Sequence, residues 1–126
     1  MEKTIINTSK APAPIGPYSQ AVRSGNMLFV SGQIAINPAN GQIEASDTAA
    51  ETRQVMENLK AVLEEAGLGF EHVVKTSIFL ADMSLFSNVN EVYGTYFKSN
   101  FPARETVAVK GLPKNVNVEI SVIAAG

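Results

Sequence analysis

The sequence contains no cysteine and a single histidine, His72, among its 126 residues. Without cysteine there is no disulfide framework, no thiolate nucleophile and no cysteine-rich zinc site. One histidine excludes metal sites built from several imidazoles, and any Ser-His-acid triad would depend on His72. That residue stands at a predicted helix-to-strand junction, between Glu71 and Val73. We therefore interpret His72 as a structural or solvent-facing residue.

Charged residues are also scarce, at 17% of the chain against roughly 25% in typical globular proteins. A small domain with so little charge favours burial of part of its surface against copies of itself. A surface rich in Asn and Ser is the alternative explanation. The Lys and Arg residues are scattered, the net charge is −2 and the pI is near 5.4. We therefore expect neither nucleic acid nor an anionic membrane surface as a partner.

No segment of the sequence indicates export or membrane insertion. Residues 1–20 lack an apolar signal region, and no apolar run is long enough to span a bilayer. We therefore expect a cytoplasmic protein. The common phosphate-binding, dinucleotide-binding, zinc-protease, hydrolase and calcium-loop motifs are absent as well, so motif matching alone assigns no activity.

Two helices are predicted, at about 48–66 and at 86–99. The first has an apolar stripe at helical spacing and ends at Gly67, a residue typical of helix ends. Asp47 or Thr48 is expected to cap it, and Glu51 stands three residues after Thr48, which is the capping-box spacing.

Six strands are predicted from short runs of β-branched and aromatic residues between turn signals. They cover residues 3–7, 20–24, 27–36, 72–81, 105–110 and 116–124. The chain therefore predicts one α+β domain over 1–126, an antiparallel-rich mixed sheet with both helices on one face. The other face of that sheet is left to solvent or to another subunit.

A scattered set of polar residues forms the candidate site. It consists of Tyr18, Ser31, Gly32, Asn90, Arg104, Thr106 and Glu119. Each also has an ordinary structural interpretation. Asn90 suits an interhelical hydrogen bond, and Arg104 with Glu119, on adjacent C-terminal strands, suits a cross-strand ion pair worth roughly a few tenths of a kcal/mol. Residue patterns alone leave both interpretations open.

Six segments resemble, in order and in spacing, the RidA family, which is also called the YjgF family. They are IGPYSQAV (15–22), VSGQI (30–34), ETRQVMENLKAVLEEAG (51–67), VVKTSIFLADM (73–83), FPARETVAV (101–109) and LPKNVNVEI (112–120). The resemblance covers essentially the whole chain. Arg104 within FPAR and Glu119 within VEI are similar to the imine-deaminating branch in particular.

The resemblance implies a chorismate-mutase-like fold that assembles as a homotrimer with clefts between subunits, without cofactor or metal. It implies hydrolysis of 2-iminobutanoate and 2-iminopropanoate, reactive products of pyridoxal-phosphate enzymes, to 2-oxo acids and ammonia. Arg104 would then hold the substrate carboxylate through a two-pronged contact, and the backbone N–H groups of Gly32 and Thr106 would complete the anion site.

The remaining roles follow from the same resemblance. Glu119 would act as the general base or orient the attacking water. Tyr18 would form a wall of the pocket, and Ser31 and Asn90 would order the cleft or the bound species.

The chain departs from the family pattern next to the arginine. Glu105 stands where many members have Ser or Thr, and Thr106 stands where Cys or Ser is also found. Because side chains alternate along a strand, we expect Glu105 to point away from Arg104. Two other functions remain as alternatives: a non-catalytic module that binds 2-oxo acids or acts as a chaperone, and RNA cleavage, which the acidic balance of the chain disfavours.

Overall fold

A six-stranded sheet with two α-helices makes up the part of the chain that the computed structural model describes, residues 2–126. The strands are β1 (Lys3–Ile6), β2 (Ala21–Ser24), β3 (Met27–Gln33), β4 (Val73–Leu80), β5 (Ala103–Ala108) and β6 (Val118–Ala125). Their order is β1-β2-β3-β6-β4-β5, and β5 runs parallel to β4 while the other pairs are antiparallel. The predicted antiparallel-rich mixed sheet is confirmed.

Helix α1 (Thr48–Glu65) begins and ends at sequence signals that the prediction used. Asp47 is its cap, because the Asp47 carboxylate accepts the N–H of Ala50 at 2.8 Å. Gly67 has φ +79° and lets the N–H of Leu68 bond back to the Leu63 carbonyl, as in a Schellman motif. The capping box with Glu51 is not formed, because that side chain turns into the fold instead.

Helix α2 (Phe86–Gly94) is shorter than predicted. The prediction continued it to Ser99, but the Thr95 hydroxyl donates to the Val92 carbonyl at 2.6 Å and the next residues form tighter turns. A short polar side chain that bonds a carbonyl of the last turn competes with continuation of a helix. Within residues 2–126, neither helix is long and apolar enough to cross a membrane.

Both helices pack on one face of the sheet, and no helix covers the other face within the described residues. On β3 and β6, Leu28, Val30, Val118 and Ile120 are buried against the helices, because every second side chain of a strand points to the same face. The opposite face, called the open face below, carries Phe29, which is 46% exposed. Val74 is exposed although alternation along β4 would place it on the same face as the buried Thr76 and Ile78, because the β4–β6 register shifts between Val73 and Lys75.

The last two strands are not neighbours, which corrects the prediction for Arg104 and Glu119. Strand β4 lies between β5 and β6, because α2 carries the chain from β4 across to a parallel β5. Strand β5 also begins at Ala103, two residues earlier than predicted, so Arg104 lies inside a strand. A cross-strand pair between Arg104 and Glu119 is therefore excluded within one chain.

The proline-rich loop before β2 is held by one buried side chain, Gln20, which is 2% exposed. Its Oε1 accepts the N–H of Thr8 at 2.7 Å, and its Nε2 donates to the carbonyls of Thr8, Ala11 and Pro12. These bonds replace the strand ladder that prolines prevent. The loop is therefore fixed in place although it has no regular structure.

We expect Gln20→Ala to lower the free energy of unfolding by roughly 3 kcal/mol, because buried peptide groups lose their partners. Urea denaturation of the variant measures this loss. Gln42→Ala removes a glutamine that is exposed in the structure and is the matched control, with an expected change within about 0.5 kcal/mol. Equal stability of the two variants would contradict the role given to Gln20.

Candidate active site

A cavity of about 500 Å³ lies where β3 ends and β6 begins. The lining includes these predicted site residues: Tyr18, Ser31, Gly32 and Glu119. The remaining wall comes from the proline-rich loop and from the turn before β6, which contributes Pro113 and Lys114. The structure therefore brings one part of the predicted site together in a single cavity.

Glu119 is the acidic group of this cavity. Its side chain has no hydrogen bond or ion pair with any residue between 2 and 126. The side chain is half-buried, and this burial raises the pKa of the Glu119 carboxyl above the ordinary 4.5. A carboxylate with free lone pairs and a raised pKa is a better proton acceptor than an ordinary exposed carboxylate.

Gly32 is required by the position of Glu119. A methyl group on Gly32 would overlap Oε2 of the Glu119 carboxylate. The absence of a side chain therefore lets the carboxylate lie directly against the backbone of β3. The segment VSGQI made Gly32 a candidate site residue, but nothing in the sequence indicated its contact with Glu119.

Ser31 and Tyr18 fix the rim of the cavity. The Ser31 hydroxyl donates to the Ser19 carbonyl at 2.6 Å, and the Ser31 N–H donates to the Gln20 carbonyl at 2.9 Å. Tyr18 is 50% exposed, and its hydroxyl accepts the N–H of Ile15 at 3.3 Å. The Ser31 oxygen thus keeps lone pairs available to a ligand, while Tyr18 presents its ring as a wall.

The turn before β6 has an unusual backbone that the sequence did not reveal. Lys114 and Asn115 both have φ +55°, a left-handed conformation that side chains rarely adopt. Asn tolerates the left-handed region, so Asn115 was a sequence signal for this turn, whereas Lys114 gave no such signal. The turn brings Lys114 into the wall of the cavity, where sequence reasoning had assigned no cation.

A second group of predicted residues lies on α2 and β5. Arg104 donates from Nη1 to the Asn90 Oδ1 at 2.7 Å. Its guanidinium carbon lies 5.6 Å from the ring centre of Phe86 and 5.2 Å from that of Tyr93, within the range of cation–π attraction. A shallow cavity of about 520 Å³ lies over Arg104, Asn90 and Phe101.

Phe86 and Tyr93 lie at apolar positions of α2, and nothing in the sequence indicated their contact with Arg104. Tyr93 is buried, and its hydroxyl donates to the Thr76 hydroxyl at 2.9 Å. Burial raises the pKa of the Tyr93 hydroxyl, while the bond to Thr76 and the charge of Arg104 act in the opposite direction. The ring therefore stays neutral and rigid beneath the guanidinium.

Thr106 lies two residues beyond Arg104 and faces the same side of β5. Its hydroxyl oxygen is buried and has no hydrogen-bond partner among the residues that the structure describes. Val109 donates its N–H to the Leu80 carbonyl on β4 at 2.8 Å. Because N–H directions alternate along a strand, the N–H of Thr106 points to the open edge of the sheet and is free for an anion.

Glu105 points away from Arg104, as predicted. Its carboxylate accepts from Ser77 and pairs with Lys75 at 3.0 Å on the open face. The hydrogen bonds from Ser77 and Lys75 lower the pKa of the Glu105 carboxyl. The departure from the family pattern at this position therefore adds no negative charge beside the guanidinium.

His72 has a structural role, which agrees with its interpretation from the sequence. Its Nδ1 accepts the N–H of Gly69 at 3.0 Å and so closes a short turn before β4. His72 lines neither of the two cavities. Its imidazole is therefore separate from the candidate site.

The two groups lie on opposite faces of the sheet. Arg104 pairs with the buried Thr76 and contacts α2, so it lies on the helix side. Glu119 alternates with the buried Val118 and Ile120, so it lies on the open face. One chain therefore holds two separate candidate half-sites, one cationic and one acidic.

The sequence matches the family profile described as endoribonuclease L-PSP over residues 8–126. This is the family of RidA and YjgF. The chain belongs to it. The resemblance noted in the sequence is thereby confirmed across nearly the whole RidA-family chain.

Individual relatives cover the RidA-family chain almost completely. A RutC family protein of Pyrococcus horikoshii is 51% identical over 97% of each chain. A human protein named 2-iminobutanoate/2-iminopropanoate deaminase is 46% identical over 97% of this chain and 89% of its own. The crystal structure of E. coli TdcF with bound serine has a TM-score of 0.93 at 41% identity, and 98% of each chain is covered.

In this RidA-family chain we expect Gly32→Ala to move Glu119 without unfolding the protein. The added methyl displaces the mobile end of the Glu119 side chain rather than backbone, so the free energy of unfolding should change by less than about 1 kcal/mol. Water then reaches the carboxylate, and the pKa of Glu119 should fall towards its ordinary value. A carbon-13 NMR titration of the glutamate carboxyl measures this shift.

Gly69→Ala is the matched control, because a methyl there would also meet a glutamate carboxylate, that of Glu71, away from the cavity. It should leave the Glu119 titration unchanged. A Gly32→Ala protein that titrates like the wild type would contradict the close contact.

Proposed function

We propose that this chain is an imine deaminase that hydrolyses 2-iminobutanoate and 2-iminopropanoate to 2-oxo acids and ammonia. The observation that carries the proposal is the half-buried Glu119 carboxylate, which lines a cavity without a partner among residues 2–126. The name of the human relative supports the reaction. The serine bound to E. coli TdcF is a small molecule with a carboxylate, which supports the substrate class.

The active enzyme in this proposal is a homotrimer in which each cleft takes Arg104 from one chain and Glu119 from the next. The placement of these residues on opposite faces supports it, because no single chain joins them. The open face supports it too, since exposed apolar side chains there need cover. These are Ile5, Phe29 and Val107. A head-to-tail interface that rotates each chain by one third of a turn closes into a ring of three chains.

The substrate carboxylate would bind at the Arg104 half-site. The guanidinium is already fixed by Asn90 and by the aromatic rings of α2, and its planar donors match two carboxylate oxygens. The free N–H of Thr106 lies on the same edge and adds a neutral donor. The N–H of Gly32 would approach the same anion from the neighbouring chain.

Hydrolysis would then proceed by addition of water to the carbon of the C=N bond. Glu119 accepts one proton from the attacking water as the new C–O bond forms, and it passes this proton to the imine nitrogen, which gives a neutral carbinolamine. Glu119 then accepts the hydroxyl proton of the carbinolamine and delivers it to the amine nitrogen, so that the C=O bond forms, the C–N bond breaks and ammonia leaves. The raised pKa of Glu119 suits a group that both takes and gives a proton. Tyr18 and Ser31 would limit the space around the reacting carbon.

We expect Arg104→Ala to lower kcat/KM by at least roughly thirtyfold, because the substrate carboxylate loses its charged partner. This corresponds to a loss of at least ~2 kcal/mol of transition-state stabilisation. The assay generates the imine with a threonine dehydratase and follows its trapping by semicarbazide. Lys110→Ala removes an exposed cation elsewhere and is the matched control, with wild-type activity expected. Near-normal activity of Arg104→Ala would refute the assigned anion site.

Mixed trimers test whether two chains share each site. Glu119→Gln should still bind 2-oxobutanoate but hydrolyse no imine, since the amide accepts no proton. Unfolding and refolding Arg104→Ala with Glu119→Gln in equal amounts should restore about a quarter of the wild-type activity, because one site in four receives both intact residues. No recovery in the mixture would contradict the shared site.

The same experiments distinguish the alternative functions. If the wild type binds 2-oxobutanoate but leaves imine trapping unchanged, the chain is a carboxylate-binding module and the deaminase proposal fails. The family description names an endoribonuclease, but a net charge of −2 gives little electrostatic attraction for a polyanion. Imine hydrolysis is therefore the function that the two half-sites support best.

A further inference from the structure

Glu51 is a buried carboxylate with no cation beside it among the described residues. It lies in the first turn of α1 and is 5% exposed. Its Oε2 accepts the backbone N–H groups of Asn117 at 2.8 Å and of Val118 at 3.1 Å, and its Oε1 accepts from the Asn117 side-chain amide at 2.8 Å. Burial of a charged group is costly unless such bonds compensate it, so this arrangement requires an explanation.

Stabilisation of the helix end does not supply that explanation. Asp47 already caps α1, and the Glu51 side chain turns away from the helix end towards β6. Its partners lie where the sheet is incomplete, because the register of β3 with β6 shifts between Val30 and Gln33 and reaches no further than Gln33 opposite Ile120. Val118, the first residue of β6, thus has no β3 partner, and Glu51 accepts its N–H group together with that of Asn117, which precedes the strand.

The residues that Glu51 holds, Asn117 and Val118, are the two that precede Glu119 in the chain. On the other side of them lies the turn with left-handed Lys114 and Asn115, which forms a wall of the cavity. Two bonds to consecutive peptide groups fix both the position and the rotation of the strand, and therefore the direction in which the next side chain leaves it.

We propose that Glu51 is a positioning residue that aims Glu119 into the cavity and holds the Lys114 turn against it. The proposal rests on the function assigned to Glu119 above and adds a residue that touches no substrate. The proposal also separates geometry from charge. Both backbone donors meet a single oxygen, Oε2, which an amide can supply, and the Asn117 side-chain amide, which now donates to Oε1, can rotate to present its oxygen to an amide N–H2. The bond geometry therefore matters and the negative charge does not.

Two variants separate geometry from charge. Glu51→Gln keeps the side-chain length and one acceptor oxygen but removes the charge, whereas Glu51→Asp keeps the charge but is one methylene too short to reach both N–H groups. We expect Glu51→Gln to resemble the wild type. We expect Glu51→Asp to lower kcat by at least about tenfold with little change in KM, since displacement of a catalytic group by about 1 Å has effects of this size.

The titration of Glu119 gives a readout that does not depend on activity. Burial raises the pKa of Glu119, so a Glu119 that is no longer held in place gains water and its pKa should fall in Glu51→Asp, but not in Glu51→Gln. Carbon-13 NMR of the glutamate carboxyl measures it in the full chain. Val62→Ala, a cavity-forming change on the buried face of the same helix, is the control for general destabilisation.

The proposal is overturned if Glu51→Asp titrates like the wild type, if Glu51→Gln shifts as much as Glu51→Asp, or if Val62→Ala produces the same shift. A shift confined to Glu51→Asp supports it. If the wild type hydrolyses no imine, the deaminase function fails, while the titrations still decide whether Glu51 positions Glu119.

Discussion

Every stretch of chain that leaves the sheet beside the cavity carries peptide groups that no neighbouring strand pairs, and buried polar side chains hold these groups. Gln20 holds the proline-rich loop and Glu51 holds the beginning of β6. Asn58, also on α1, donates its amide to the carbonyls of Ile34 and Ile36, both at 3.0 Å, just after β3 ends. A buried peptide group without a partner costs roughly 1–3 kcal/mol. The cavity therefore keeps its shape through hydrogen bonds to irregular backbone, and the apolar core supplies the platform on which those bonds are built.

The two half-sites use two different regions of the sheet. Strand β5 is an edge, so its outward N–H groups have no strand beside them within the described chain, and Arg104 and Thr106 stand there. An exposed edge strand usually pairs with strands of other molecules. The unpaired N–H groups of β5 instead face the site where we propose that the substrate carboxylate binds. Glu119 stands instead where the β3–β6 ladder breaks down. Both half-sites thus lie where regular pairing ends, so that polar groups remain available to a ligand.

Much of this arrangement could be predicted from the sequence, and the failures share a physical origin. Local patterns placed α1, its glycine stop and the alternation of buried and exposed positions along the strands. They gave the faces of β5 and β6 but not their neighbours, because strand order depends on contacts distant in sequence. Glu51 suggested a helix cap, since nothing local shows that an acid turns into the core. Lys114 was missed because its left-handed backbone follows from the turn around it, and Phe86 and Tyr93 looked like ordinary core aromatics. The candidate site residues were predicted from the resemblance of the sequence to the RidA family. Their separation into two half-sites could be seen only in the structure.

The stacking of Arg104 on α2 has a consequence for the size of ligand that the proposed anion site would hold. A free arginine side chain loses about 2 kcal/mol of rotamer freedom when a ligand immobilises it, and a small imino acid has few atoms with which to offset that loss. In this protein the rotamer freedom of Arg104 is lost when the chain folds, because Asn90 and the rings of Phe86 and Tyr93 already restrain the guanidinium. Binding then requires little further ordering of the protein. A site built in this way can retain molecules of only a few carbon atoms, for which a flexible lysine or arginine at the surface would have too little affinity.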